Sequence, residues 1–257
     1  MNINAQKIIK KAVAFIFWVS LWQITAIVVD KGFIIPTVQD TAVALWTLIK
    51  SSLFWKSVLF SLLRILAGLA LGVALGIALA LIANKVKYSD SIIAPAMSVI
   101  KSTPVASFIL ILWFMLGSDS VPIALSVLMV MPVIWQNLTD GFEAIDKDLD
   151  EVCSVFRLSY MKRLKILVLP TLMRFFLPGL ITSCGLAWKA GVAAEIITYT
   201  RHSLGKEILD AKNYFESERM FALTIVVIVL SMLIETAIKK LSIGALKKNV
   251  SANQKSD

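Results

Sequence analysis

Six ionisable side chains, Arg64, Lys101, Arg174, Lys189, Glu195 and Glu235, fall within or near long apolar runs of this sequence. A charge held in a hydrocarbon layer is costly, so each is a default candidate for binding or moving a solute. Each also has a plainer role. Arg64 lies about two turns into its run and could snorkel to the interface. Arg174 and Glu235 stand near run ends and are expected at the interface. Lys101 directly precedes Ser102-Thr103-Pro104, where its run is interrupted, so it could face a cavity. Lys189 and Glu195 are offset along a helix in a way that does not favour a direct pair. The path candidates are Arg64, Lys101, Lys189 and Glu195. The three cations together would make a solute path net positive, which points to a small anion.

Catalytic chemistry has little support. The acidic run Glu143, Asp146, Asp148, Asp150 and Glu151 has no histidine and no metal-ligand order, and suits a solvated loop. The single histidine, His202, is expected at the surface. Cys153 falls in polar sequence and Cys184 in apolar sequence, which argues against a disulfide. The stretch "SLGKEI" lacks the upstream glycine and the Ser/Thr of a phosphate-binding loop. The chain is therefore expected to bind no ATP in that way, to hold no metal or cofactor, and not to be an enzyme.

The elements that would carry these charges are membrane helices. Of the 257 residues, 58% are hydrophobic and 17% charged, and the mean hydropathy is +0.81. That composition lies outside the soluble globular range. The net charge of +9 fits basic loops beside anionic lipid better than a nucleic-acid partner, and none is expected. Apolar runs long enough to span a bilayer occur at 12–29, 57–83, 92–116, 121–138, 171–197 and 221–238. The first is long and has no A-x-A-like site, so it is taken as a retained helix rather than a signal peptide. The segment around Pro36, between the first two runs, could hold an amphipathic surface helix. Residues 239–257 read as a solvated, disordered tail. Gly68, Gly72 and Gly76 recur every fourth residue, as close helix packing requires.

Six spans put both ends on one side. With the N-terminus inside, the inner segments hold fifteen Lys and Arg and the outer ones seven, so both termini are expected in the cytoplasm. The polar segment 139–170 is then cytoplasmic. Over Glu151–Leu169 the residues Val152, Val155, Phe156, Leu164, Leu167 and Val168 approximate one helix face, away from Arg157, Lys162, Arg163 and Lys165. Such a helix could rest on the membrane surface or dock a soluble partner.

This segment resembles the EAA motif of bacterial ABC importer permeases, which runs Glu-Ala-Ala, three residues, Gly, nine residues, Ile-x-Leu-Pro. Glu151-Val152-Cys153 stands at its start, Arg157 at the glycine, and Leu167-Val168-Leu169-Pro170 at its end. Both alanines and the glycine are replaced. "SLLRILAGLALGVALGIALAL", "KSTPVASFILILWFMLG" and "LAWKAGVAAEII" look like the permeases of the nitrate, sulfonate and taurine group.

The resemblance implies an all-α membrane protein of the type I importer permease class. A cytoplasmic coupling helix would lie between the fourth and fifth spans, in the inner cell membrane. It implies an ATP-binding cassette subunit carrying ATP and Mg, an extracytoplasmic substrate-binding protein, and a second permease copy in a homodimer. The coupling residues would be Glu151, Val152, Cys153, Phe156, Arg157, Leu167, Leu169 and Pro170. The solute would be a small anion such as nitrate, bicarbonate or an organosulfonate. A secondary transporter that needs no ATPase is the alternative; it should show matching inverted halves, and no clear repeat is seen. A membrane-embedded enzyme is a third, weaker one.

Overall fold

The computed structural model describes residues 3–86 and 88–253, with side chains at 9–86, 88–89 and 91–240. Lys87 and Lys255, and the side chains of Lys7, Lys247 and Lys248, all used in the charge count, lie outside these described parts. The fold is all-helical. In chain order the helices are α1 Ile3–Val29, α2 Val38–Lys50, α3 Ser52–Lys85, α4 Asp90–Ser102, α5 Val105–Leu116 and α6 Val121–Glu143. They continue with α7 Lys147–Val155, α8 Tyr160–Arg163, a π-helical turn at Leu164–Val168, α9 Leu169–Thr198, α10 Leu204–Asn213 and α11 Ser217–Asn253. Residues 239–253, expected to be disordered, thus continue α11 as helix, and 254–257 lie outside the described part.

Among the described residues, five helical stretches are long and apolar enough to cross a membrane: Ile9–Val29, Ser52–Lys85, Val121–Glu143, Tyr160–Thr198 and Ser217–Lys240. A sixth is broken. α4 and α5 meet at an angle of 102° at the Thr103-Pro104 interruption. Proline has no N–H to donate and disfavours helix at the residue before it, and Thr103 is accordingly extended at ψ 132°. Irregular backbone at membrane depth survives only inside protein or along a watery cavity, and Lys101, Ser102 and Pro104 at this break are exposed in the single chain.

α6 is the central helix, packed between α3 and α9. The glycine stripe explains its closeness to α3. A Cβ on Gly68 would lie 2.6 Å from the Ile123 carbonyl oxygen. One on Gly72 would lie 2.7 Å from the Val130 Cβ, and one on Gly76 would lie 2.7 Å from the Ile134 Cβ. Helix association in lipid depends on such van der Waals contact. The buried stripe extends upward through Ile65 to Ser61 and Ser57, both without exposure. On α9, Gly191 opens onto Ile65 of α3 and Gly179 onto Asn137 of α6. Ser126 Oγ of α6 donates to the Pro122 carbonyl of its own helix (2.7 Å) and lies 3.3 Å from the Ala187 carbonyl of the antiparallel α9.

The two ends of the bundle differ. One face carries α7, α8 and the π turn, here called the strap. The opposite face carries α2, the loops 117–120 and 198–203, and α10.

Candidate functional site: strap, broken span and polar ties

The strap is not the single amphipathic helix expected over Glu151–Leu169. It reverses after α7. Asp146 caps α7, its Oδ1 accepting from the Asp148 and Leu149 N–H groups at 2.9 and 3.2 Å. At the other end, Leu158 N–H donates to the Cys153 carbonyl and Arg157 N–H to the Ser154 carbonyl, both at 3.0 Å. This is a Schellman cap, whose key residue takes a left-handed conformation and is most often glycine. Here it is Arg157, at φ 50°. The reversal therefore accounts for the glycine in the EAA motif and for the strain borne by its replacement. Arg157→Gly is expected to stabilise the strap by about 1 kcal/mol, the usual cost of a left-handed non-glycine residue. Thermal unfolding of the purified protein measures it, and a lower melting temperature in the variant would contradict the assignment.

The reversal divides the expected apolar face. Val155 is 78% and Phe156 73% exposed, with Val152 and Leu149 about half exposed beside them. Cys153, at 7%, and Leu167 turn inward instead, against the rest of the chain. Glu151 and Arg157 are exposed, Leu169 is just exposed and Pro170 half-buried. The Arg163 guanidinium pairs with the Asp150 carboxylate and clamps α8 to α7. A groove of about 450 Å³ opens beside the reversal, lined by Asp150, Glu151, Cys153, Ser154, Arg157, Leu158 and Arg163. Pro170 does not end the helix. Its ring would crowd the Ile166 carbonyl in a regular helix. The turn before it widens, with Leu169 N–H reaching back to the Leu164 carbonyl. Helix therefore runs unbroken from Tyr160 to Thr198.

The four path candidates separate. Lys189 is exposed, on a stripe of α9 with Arg174, Pro178, Thr182, Leu186 and Ile197. Lys101 is exposed at the end of α4, beside the break. Its Nζ donates to Gln136 Oε1 (3.3 Å), and Gln136 Nε2 donates to Asp140 Oδ1 (2.7 Å). Arg64 does not snorkel. It donates to the carbonyls of Arg201 (2.9 Å) and His202 (3.3 Å) and lies 3.6 Å from Asp119 Oδ1, so it ties α3 to the two loops above it. Glu195 is 0% exposed and faces α3 and α10 rather than the Lys189 stripe. Its Oε2 accepts from the Ser61 hydroxyl (2.8 Å) and from Gly205 N–H (3.2 Å). Glu235, expected at the interface, faces the middle of α9: its Oε1 lies 2.8 Å from where a Gly185 Cβ would stand. His202 is exposed and its ring lies 6.0 Å from that of Phe60.

The ties on the face opposite the strap were barely legible from residue spacing. Glu207 meets Arg219 at 2.5 Å and accepts from Ser57 (3.4 Å), while Arg219 also bonds Glu216 at 2.9 Å. The charges of the loop after α9 are thus largely consumed within it. The only available signal was the continuation of the glycine stripe into Ser61 and Ser57 at helical spacing.

A bundle of apolar helices with one sharply bent pair, and with a polar strap presenting apolar side chains off the bundle's end, defines a multi-pass membrane protein. The family model described as binding-protein-dependent transport system inner membrane component matches residues 72–242, and the chain belongs to that family. It is the inner-membrane permease component of a binding-protein-dependent transport system. A protein of Bacillus subtilis (strain 168) named as an aliphatic sulfonates transport permease is 25% identical over 233 residues, 89% of this chain and 83% of that protein. The bicarbonate transport system permease protein of Synechococcus elongatus is 26% identical over 166 residues, 63% of this chain and 59% of that protein. In fold, the chain is similar to one from the crystal structure of an amino acid ABC transporter with histidines. The TM-score is 0.60 at 15% identity, over 76% of this chain and 94% of that one.

Proposed function

We propose that this chain forms the translocation path of an ATP-driven importer for a small anion of the sulfonate or bicarbonate kind. The strap faces the cytoplasm, as do both termini, and docks on a separate ATP-binding subunit that carries the ATP and Mg. A substrate-binding protein delivers the anion at the opposite, outer face. A second copy of the chain completes the path. One observation carries this: Val155 and Phe156 stand exposed at the end of a short polar helix outside the bundle, where the chain itself does not cover them. Two large apolar groups at the tip of such a helix suit a partner's pocket.

Two features support an anion. Lys101 and Lys189 are exposed at different depths of the bundle, Lys101 beside Gln136 and Lys189 nearer the level of Ser126. The break beside Lys101 also leaves the first residues of α5, Val105 and Ala106, exposed at a helix start, where the helix dipole favours negative charge. Reconstitution tests the whole proposal. The permease in vesicles with its ATP-binding subunit and binding protein should accumulate labelled sulfonate or bicarbonate only when ATP is supplied. Uptake of a neutral or cationic solute, and of no anion, would refute the substrate class. Lys189→Glu is expected to lower anion uptake by roughly tenfold or more, the low end of what charge focusing contributes in a cleft. ATP hydrolysis should persist in that variant, and an unchanged uptake rate would remove Lys189 from the path.

A further inference from the structure

Glu195 sits at the junction of three helices, and the start of α10 is built upon it. The first N–H groups of a helix have no partner within it. In α10 all of the early ones are satisfied from elsewhere. Leu204 N–H donates to Ser61 Oγ on α3 (2.9 Å), and Gly205 N–H to Glu195 Oε2 on α9 (3.2 Å). Lys206 N–H donates to its own cap, Ser203 Oγ (3.0 Å). The Ser61 hydroxyl donates a hydrogen bond to the same Glu195 oxygen, so one carboxyl gathers both helices. The approach is too close for any side chain on α10: a Cβ on Gly205 would lie 2.4 Å from the Cβ of Glu195.

The other bonds of α10 lead mostly elsewhere. Glu207 joins it to Ser57 of α3 and to Arg219 of α11, and Arg64 holds the preceding loop to α3. Toward α9 the other polar ties all meet the exposed Tyr199, whose hydroxyl donates to Asp210 Oδ1 (2.6 Å) and whose ring lies 4.9 Å below Lys206 Nζ, while Leu204 and Ile208 join the same apolar cluster as Ile196. α9 itself continues as helix to Tyr160 in the strap. A helix of that length spans about 58 Å, enough to reach from one face to the other.

We propose that Glu195 is the latch that locks α10 to α9, so that movement of α10 at the outer face reaches the strap at the inner face through one continuous helix. The inference rests on the permease function proposed above and adds to it a positioning residue that does not touch the solute. Coupling of this kind requires that α10 sit differently when a partner is bound. The latch then makes α9 follow rather than slide beneath it.

The test uses the complete transporter in vesicles, with hydrolysis measured with and without substrate-loaded binding protein. Glu195→Gln keeps an acceptor for Ser61 and Gly205 and should retain the wild-type ratio of stimulated to basal hydrolysis within about twofold. Glu195→Ala should keep basal hydrolysis but lose stimulation and uptake by about tenfold, within the usual range of coupling between sites. Gly205→Ala, which forces α10 off Glu195, should reproduce that loss, and it serves if the alanine variant does not assemble. A normal ratio in Glu195→Ala or Gly205→Ala overturns the latch. So does a parallel fall of basal and stimulated hydrolysis with a lower melting temperature, because that is a purely structural role. A wild-type complex that never responds to binding protein would refute the permease function, and the latch with it.

Discussion

With Phe156 replaced by aspartate, the protein is expected to insert and fold normally yet to support no measurable ATP-dependent uptake. The side chain is exposed and lies outside the bundle, so nothing in the folded chain depends on it. Its removal bears on the partner. An aromatic anchor in a partner's pocket contributes roughly 2–4 kcal/mol, so its loss weakens the complex by about 30-fold or more. A buried carboxylate in the same pocket adds a desolvation cost. Co-purification of the ATP-binding subunit reads the effect directly. If the aspartate variant still retains that subunit and transports at the wild-type rate, Phe156 does not reach it and the coupling surface lies elsewhere.

The second large effect is on the fold. Gly72→Leu is expected to prevent recovery of folded protein, whereas Ala74→Leu, two residues away, should leave the melting temperature nearly unchanged. The residues are both small and both on α3, but Gly72 is buried against Val130 and Val127 while Ala74 is exposed. A Cβ at Gly72 meets a β-branched side chain and a backbone Cα, neither of which can swing aside. Overpacking a core costs about 1–3 kcal/mol when neighbours can adjust, and more where a backbone must move. Equal melting temperatures for the two variants would mean that α3 and α6 are not in contact along this stripe.

The spans, the interruption at Pro104 and the glycine stripe were legible in the sequence because each is local. Apolar length, a proline and a four-residue repeat all act within one helix. The strap was not legible in the same way. A helix that ends in a left-handed residue normally announces itself with glycine, and Arg157 hides the stop. Pro170 misled in the opposite direction. It looks like a boundary, but the widened turn at Leu164–Val168 absorbs its missing N–H and the helix continues.

The roles of Glu195 and Arg64 depend on partners far along the chain. Ser61 and Glu195 are 134 residues apart, and Arg64 bonds carbonyls 137 and 138 residues away. No spacing rule connects such positions. An ionisable residue in an apolar run identifies itself as special, but only the packing of three helices tells whether it meets a solute or ties the fold together.

The widened turn before Pro170 has a further consequence. It acts as a one-residue insertion in a helix that otherwise advances about 100° per residue, so it sets the azimuth at which α8 and everything hinged to it emerge from the bundle. A change of one residue in that turn would rotate the strap relative to α9 and aim Phe156 in a different compass direction. The bearing of the strap's apolar tip is therefore written in the length of that turn as much as in the chemistry of the tip.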